Sequence, residues 1–295
     1  MNWFRDKVLP VLTVVLTIIV MWYAGAIALN APWAYDKATR TGEQLTFTTL
    51  IADTWTQDKP KLPTPDQVVR EIWKTTGAMV LKGRGWSKRS LIYHAWVTLS
   101  ATVVGFGLGG VLGILLAVGI VHNRAMDMSV MPWVIASQTI PILAIAPMVI
   151  VVLNAVGVTG LLPKAIISMY LSFFPVVVGM VKGLRSPDRM QIDQMRTWFA
   201  SRWQMFWKLR LPASMPYLFT SLKVAMAASL VGTIVGELPT GAVAGLGARL
   251  LAGSYYGQTI QIWSALIMAA VLAAVLVGMI GVLQRVTLRR MGMLR

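Results

Sequence analysis

Cysteine is absent from the 295 residues, so neither a disulfide framework nor a thiolate metal site is available. The two histidines, His94 and His122, stand far apart and make no ligand cluster. Acidic residues are scarce, 11 against 27 lysines and arginines. No nucleophile, base and metal set converges, which argues against a membrane-embedded enzyme; neither catalytic nor metal residues are expected. No G-x-x-x-x-G-K-[ST] occurs, so the chain has no P-loop for ATP. GFGLGG at 105–110 has the form of a dinucleotide fingerprint, but no strand precedes it and it lies inside an apolar run. No cofactor is expected in this chain.

Apolar sequence is abundant instead. Hydrophobic residues make up 56% and charged ones 13%, a balance outside the range of ordinary soluble domains. Six runs at 8–29, 96–121, 130–153, 162–182, 214–236 and 260–283 are long enough for a bilayer, which takes about 20 apolar residues. The fold class is therefore an all-α membrane protein with six transmembrane helices. The first run exceeds a signal h-region of roughly 7–15 residues and reads as a retained helix. The net charge of +16 collects in the gaps between the runs, which suits membrane topology rather than nucleic acid. The gap 183–213 holds Arg185, Arg189, Arg196, Arg202, Lys208 and Arg210 against Asp188 and Asp193. The tail adds Arg285, Arg289, Arg290 and Arg295. Both should be cytoplasmic, and six spans put both termini there. Residues 30–95 then lie outside despite their basic excess, as long loops can. Within them PTPDQVVREIWKTTGAMVLKG reads as an interfacial helix, with Thr64 or Asp66 as N-cap and Val68, Ile72 and Trp73 at helical spacing. Residues 1–95 form one part of the chain and 96–295 a five-helix core.

Within the core, Gly105, Gly109 and Gly113 share one helix face and predict close helix packing. Pro141 and Pro147 break the third run beside Ser137, Gln138 and Thr139; these polar groups either bond between helices or line a pathway. Lys223 lies well inside the fifth run, so it either snorkels or faces the bundle interior. Glu237 closes the same run, either solvated at the outer boundary or turned to the pathway. The glycines of GELPTGAVAGLGARL suggest a re-entrant or tightly turned loop after it.

The basic stretch GLRSPDRMQIDQMRTWFASRWQMFWKLRLPASMP predicts two short helices with exposed aromatics, a surface that wants a partner, with an amphipathic membrane-surface helix as the alternative. Pro212 and Pro216 are expected to set a joint between the second of them and the fifth span. This stretch resembles the membrane permease of binding-protein-dependent ABC importers of the type I fold. That family's cytoplasmic signature is Glu-Ala-Ala, three residues, Gly, nine residues, then Ile-x-Leu-Pro. Here Leu209, Arg210, Leu211 and Pro212 match its end, Asp193 its acid, and Phe199 stands where the family has its turn-forming glycine. LPTPDQVVREIW, SQTIPILAIAP and VGELPTGAVAGLGARL are similar to segments of nitrate, sulfonate and taurine permeases. Residues 31–60 have no counterpart.

The resemblance implies a coupling helix in the 183–213 loop, docking on an ABC ATPase dimer that binds ATP and Mg in its own chains. Asp193, Trp198, Phe199, Trp203, Phe206, Leu209, Leu211 and Pro212 are its expected docking residues. It implies a translocation pathway, assigned to Ser137, Gln138, Thr139, Pro141, Lys223 and Glu237. It further implies a substrate-binding protein, a second permease copy or a paralogue, and a bacterial cytoplasmic (inner) membrane location. The expected solute is a small organic or inorganic anion, with a neutral pyrimidine-like compound as alternative. An ion-coupled secondary transporter is the rival reading. It would need inverted repeats and buried coupling carboxylates, and the sequence offers no convincing repeat.

Overall fold

A computed structural model describes residues 8–42, 46–239 and 244–293. Every regular element among them is helical. The chain divides into two compact units, Met1–Tyr93 with Arg249–Met268, and His94–Ala248 with Ala269–Arg295.

In the first unit, helix α1 (Leu9–Thr41) runs well past the predicted end of its span. At roughly 1.5 Å per residue it is about 50 Å long, against an apolar thickness of about 30 Å. Its buried positions are Ala26, Asn30, Ala34 and Ala38, a stripe of small residues four apart. Helix α2 (Phe47–Thr56) packs on α1. Asn30 ties the following loop to α1. Its amide nitrogen donates to the Thr54 and Leu62 carbonyls at 3.1 and 2.9 Å, and its oxygen accepts from the Lys61 and Leu62 N–H groups at 2.8 and 3.2 Å. The Trp22 indole donates to the Pro63 carbonyl at 2.9 Å, and the Thr259 hydroxyl donates to that of Pro60. The described residues of 31–60 are thus a helical extension, a short helix and a pinned loop.

Helix α3 (Pro65–Thr75) starts where predicted: Thr64 is its N-cap, and its N–H donates to Gln67 Oε1 at 3.1 Å. Val68 is buried, Trp73 is exposed, and α4 (Gly77–Leu81) adds the exposed Val80 and Leu81. Helix α5 (Leu91–His122) begins at the unit boundary.

In the second unit α5 is followed by α6 (Arg124–Ala136) and α7 (Ile142–Ala155), which meet at 100°. The third predicted span is therefore not a straight rod. Each arm is about 20 Å long, too short to cross alone. Helix α8 (Leu161–Leu184) follows, then α9 (Arg189–Thr197), α10 (Arg202–Met205) and α11 (Leu211–Glu237). Helices α12 (Leu246–Tyr255) and α13 (Thr259–Arg290) follow, and each is divided between the two units.

Helix α8 is the centre of this unit, packed along α11. The predicted glycine face is real: Gly105, Gly109 and Gly113 of α5 lie against Ser168, Ser172 and Val176 of α8, and a Cβ at Gly113 would stand 2.8 Å from Val176. The four-residue spacing is shared by both helices, so the backbones stay close over three turns. On the other side Gly179 and Gly183 of α8 meet Ser221 and Ser214 of α11. Hydroxyls fill the remaining space. Thr102 donates to Thr233 Oγ1 at 3.0 Å, Ser229 to the Thr102 carbonyl at 3.0 Å, and Ser168 to the Ser229 carbonyl at 2.9 Å. These bonds join three helices where no water competes.

Candidate functional site: the basic loop, the broken span and the buried carboxylate

The basic loop joins α8 to α11. Pro187 follows α8, and Asp188 opens α9 with its N–H donating to Gln191 Oε1 at 3.1 Å. The helix ends in a tight turn: the Phe199 N–H donates to the Arg196 carbonyl at 2.9 Å and that of Ala200 to Met195 at 3.0 Å. Phe199 takes φ of 52°, and it is the only non-glycine residue with positive φ among the described residues. The turn at this position survives with a phenylalanine in it. Ser201 then caps α10; its Oγ accepts from the Gln204 N–H at 3.2 Å, and Gln204 Oε1 from the Ser201 N–H at 2.9 Å.

The expected joint at Pro212 is absent. Residues Arg202–Glu237 form one continuous helix. A π-helical turn over Phe206–Arg210 is what lets it pass the proline, with the Leu211 N–H bonded to the Phe206 carbonyl. Pro212, which lacks an N–H, follows directly after this widened turn and needs no break. Further along, the Thr220 hydroxyl donates to the Pro216 carbonyl at 2.8 Å.

The expected docking residues do not all face outward. Trp198 and Trp203 are 67% and 68% exposed and Phe199 is 95% exposed. Asp193 is exposed and paired with Arg196 at 3.0 Å. Leu209, Leu211 and Pro212 are half-buried. Phe206 is turned inward at 9% exposure, edge-on to His122 at 5.3 Å, with Trp203 and Trp207 packed on its outer side. It supports the exposed rings and does not itself reach solvent. Arg185 of α8 is held to Asp127 of α6 at 2.8 Å.

The broken span brings Ser137, Gln138 and Thr139 into a single 3₁₀ turn just before Pro141. Pro141 has no N–H for the Ser137 carbonyl, four residues back. The Tyr170 hydroxyl of α8 donates to that carbonyl instead. Ser137 donates to the Val134 carbonyl at 2.7 Å, and Thr139 to that of Ala136 at 2.8 Å. Gln138 reaches Ser137 Oγ at 3.2 Å. Lys223 is half-buried near Gly281 of α13, apart from this break.

At the far end of α8 and α11 lies a cluster that the sequence did not announce. Glu237 is fully buried. Thr98 donates to its carboxylate at 3.0 Å, the Gly247 N–H at 2.8 Å, and Lys164 stands 3.6 Å away. Thr98 Oγ1 also accepts from the Leu246 N–H at 2.8 Å, His94 Nδ1 from the Gly245 N–H at 3.0 Å, and Lys164 donates to the Ala244 carbonyl at 3.1 Å. Glu237, expected at a solvated boundary or in the pathway, is instead closed off on all sides by this knot. Gly245 has φ of 130°, and a Cβ there would overlap the carboxylate. Of the glycines in the segment after Glu237, Gly241 lies outside the described residues. The signal for the cluster was weak: a carboxylate ending an apolar run, and a Gly-Leu-Gly a few residues later.

Beyond the cluster, Arg249 of α12 belongs to the first unit; burial lowers its guanidinium pKa from the ordinary value, and the Glu71 charge works the other way.

Comparison with known proteins gives these features a setting. The chain is 30% identical over 77% of its length to the riboflavin transport system permease protein RibX of Chloroflexus aurantiacus, of which the match covers 80%. It is 34% identical over 52% of its length to the formylaminopyrimidine transport permease protein ThiX of Halalkalibacterium halodurans, covering 60% of that protein. The nitrate import permease protein NrtB of Leptolyngbya laminosa is 26% identical, with 74% of each chain covered. These relatives do not support an ion-coupled secondary transporter. Residues 109–293 match the family described as binding-protein-dependent transport system inner membrane component. With its apolar helices, its broken third span and its loop between α8 and α11, the chain belongs to that family and is a multi-pass inner-membrane permease subunit of an ABC transporter.

Proposed function

We propose that this subunit, paired with a second copy or a paralogue, forms the pathway for a small organic solute handed over by a binding protein. A separate ATPase dimer binding ATP and Mg drives it, docked on the basic loop. The continuous helix Arg202–Glu237 carries this reading. It makes the second half of the loop, from Arg202, and the fifth span one rod of about 54 Å at roughly 1.5 Å per residue. A push at Trp203 is therefore delivered along α11 without a hinge to absorb it, as alternating access requires.

The loop and the tail carrying Arg289 and Arg290 belong in the cytoplasm by their charge, as do both termini, provided that α6 and α7 together cross once. Residues 46–90 are then external, with α3 lying at the outer interface. Ser137, Gln138, Thr139 and Pro141 line the pathway at the break, and Lys223 offers it a cation; Glu237 serves it indirectly by fixing the loop that follows.

An organic solute is favoured by the cavity between α8 and α11. Its 570 Å³ are lined chiefly by apolar groups such as Phe174, Val178 and Val224, with Tyr217, Thr220 and Lys182 among them. An inorganic oxyanion would leave it mostly empty, whereas a heterocycle of the kind named for the riboflavin and formylaminopyrimidine relatives would fill more of it. The test is uptake by vesicles reconstituted with the ATPase and the binding protein. Uptake should require ATP on the loop side and persist when ionophores collapse every ion gradient. Uptake driven by a gradient without ATP would refute the reading.

A further inference from the structure

We propose that the Phe199 ring is the anchor by which this chain seats in its ATPase partner, and that the partner offers an apolar socket with an acidic rim. The proposal rests on the docking reading above.

Phe199 carries two unfavourable features at once. Its backbone sits in the left-handed region, where a Cβ is penalised, and its ring is 95% exposed to water. Among the described residues no ring packs on Phe199, whereas Trp203, Phe206 and Trp207 pack against one another. The turn is nonetheless firm, closed by the two backbone bonds to Arg196 and Met195 and followed by the Ser201 cap. The turn thus fixes the point at the apex between α9 and α10 from which the ring leaves the backbone. A pre-positioned aromatic with few rotamers is what an interface anchor needs.

The charge around it selects the socket. Arg189, Arg202 and Lys208 are exposed on the same loop with no acid partner among the described residues, while Asp193 is already paired with Arg196. A complementary rim is acidic. An anionic bilayer would meet the charge but not the shape. The exposed side of α9 carries Arg189, Gln191, Asp193, Gln194, Arg196 and Thr197 with one apolar side chain, Met190, which is too narrow an apolar face to lay into lipid. A protein pocket that takes one ring and leaves the polar flanks at its edge fits both observations.

The experiment titrates the purified cognate ATPase subunit onto the detergent-solubilised permease and onto three variants. Phe199→Gly keeps the turn and removes the ring, Phe199→Ala keeps the backbone penalty and removes the ring, and Phe199→Leu keeps an apolar side chain. The glycine and alanine variants should bind at least about tenfold more weakly, with leucine between them and wild type. The glycine variant should melt no lower than wild type, which separates lost contact from lost folding. Wild-type binding that survives unchanged in Phe199→Gly overturns the anchor while leaving the docking reading intact. No binding by wild type itself removes the docking reading and the anchor together.

Discussion

Gly245 and Phe199 both hold a left-handed backbone, one at each end of the α8–α11 pair, and they hold it for different reasons. At the carboxylate end, φ of 130° comes with a shortage of space, because Glu237 lies where a Cβ would go. At the loop end, φ of 52° comes with open surroundings. Glycine is therefore needed twice over at 245 and only for its backbone at 199. Where a family glycine serves the backbone alone, a side chain can replace it at about 1–2 kcal/mol. The same contrast runs through the two regions. The carboxylate end satisfies its polar groups internally and buries them; the loop end leaves rings such as Phe199 and Trp198 and cations such as Arg189 and Arg202 exposed. One end is closed within the chain; the other is, on the docking proposal, the end a partner completes.

The sharpest way to break this comparison is to open the closed end. Glu237→Ala leaves Lys164 nearly buried without its carboxylate and strips the Gly247 N–H and Thr98 of an acceptor. The expected loss is about 3 kcal/mol or more, read as a fall in the melting temperature of the purified protein. Glu237→Leu combined with Lys164→Met removes both charges and should recover a large part of it. If the single variant melts like wild type, the buried carboxylate is not what holds this end. Gly245→Ala comes next, at about 2–4 kcal/mol, since it combines backbone strain with overlap. Placed beside Phe199→Gly, it gives the comparison a sign: alanine at 245 should destabilise, whereas glycine at 199 should not. Equal and opposite shifts would mean that φ alone decides, and that the crowding at Gly245 relaxes at no cost.

The sequence discloses these regions unequally, for physical reasons. The apolar runs are legible because a bilayer demands them, and the glycine face of α5 is legible because helix packing imposes its period. The reach of α1 beyond its apolar run is not. Past residue 29 the chain turns polar, with Pro32, Asp36 and Lys37 inside the helix. What sustains it is an alanine stripe and the Asn30 contacts with residues up to 32 positions away. The knot at Glu237 is hidden for the same reason, since Thr98 is 139 positions distant in sequence. At Pro212 local reasoning misleads. A proline suggests a break, but a single widened turn before it preserves the rod. Phe206, expected among the docking residues, is turned inward; its place in the loop sequence does not say which way its ring faces.

The mildest test lies between the two ends, at the break in the third span. Tyr170 supplies the donor that Pro141 withholds from the Ser137 carbonyl. Phenylalanine at 170 keeps the ring, which packs 6.1 Å from Phe173, and deletes the hydroxyl alone. The orphaned carbonyl should cost about 1–2 kcal/mol. That is less than the loss of Glu237, because one acceptor is stranded instead of a charge with two donors. The partly buried setting also lets the 3₁₀ turn relax. The melting temperature should fall modestly, and the 100° bend between α6 and α7 should persist, since the proline imposes it and the tyrosine only satisfies it. A distance between spin labels on α6 and α7 reads that directly. An unchanged distance with a small thermal loss assigns Tyr170 a satisfying role. If the two arms straighten toward one axis, the tyrosine itself holds the bend, and the break would then be a movable element within the pathway instead of a fixed one.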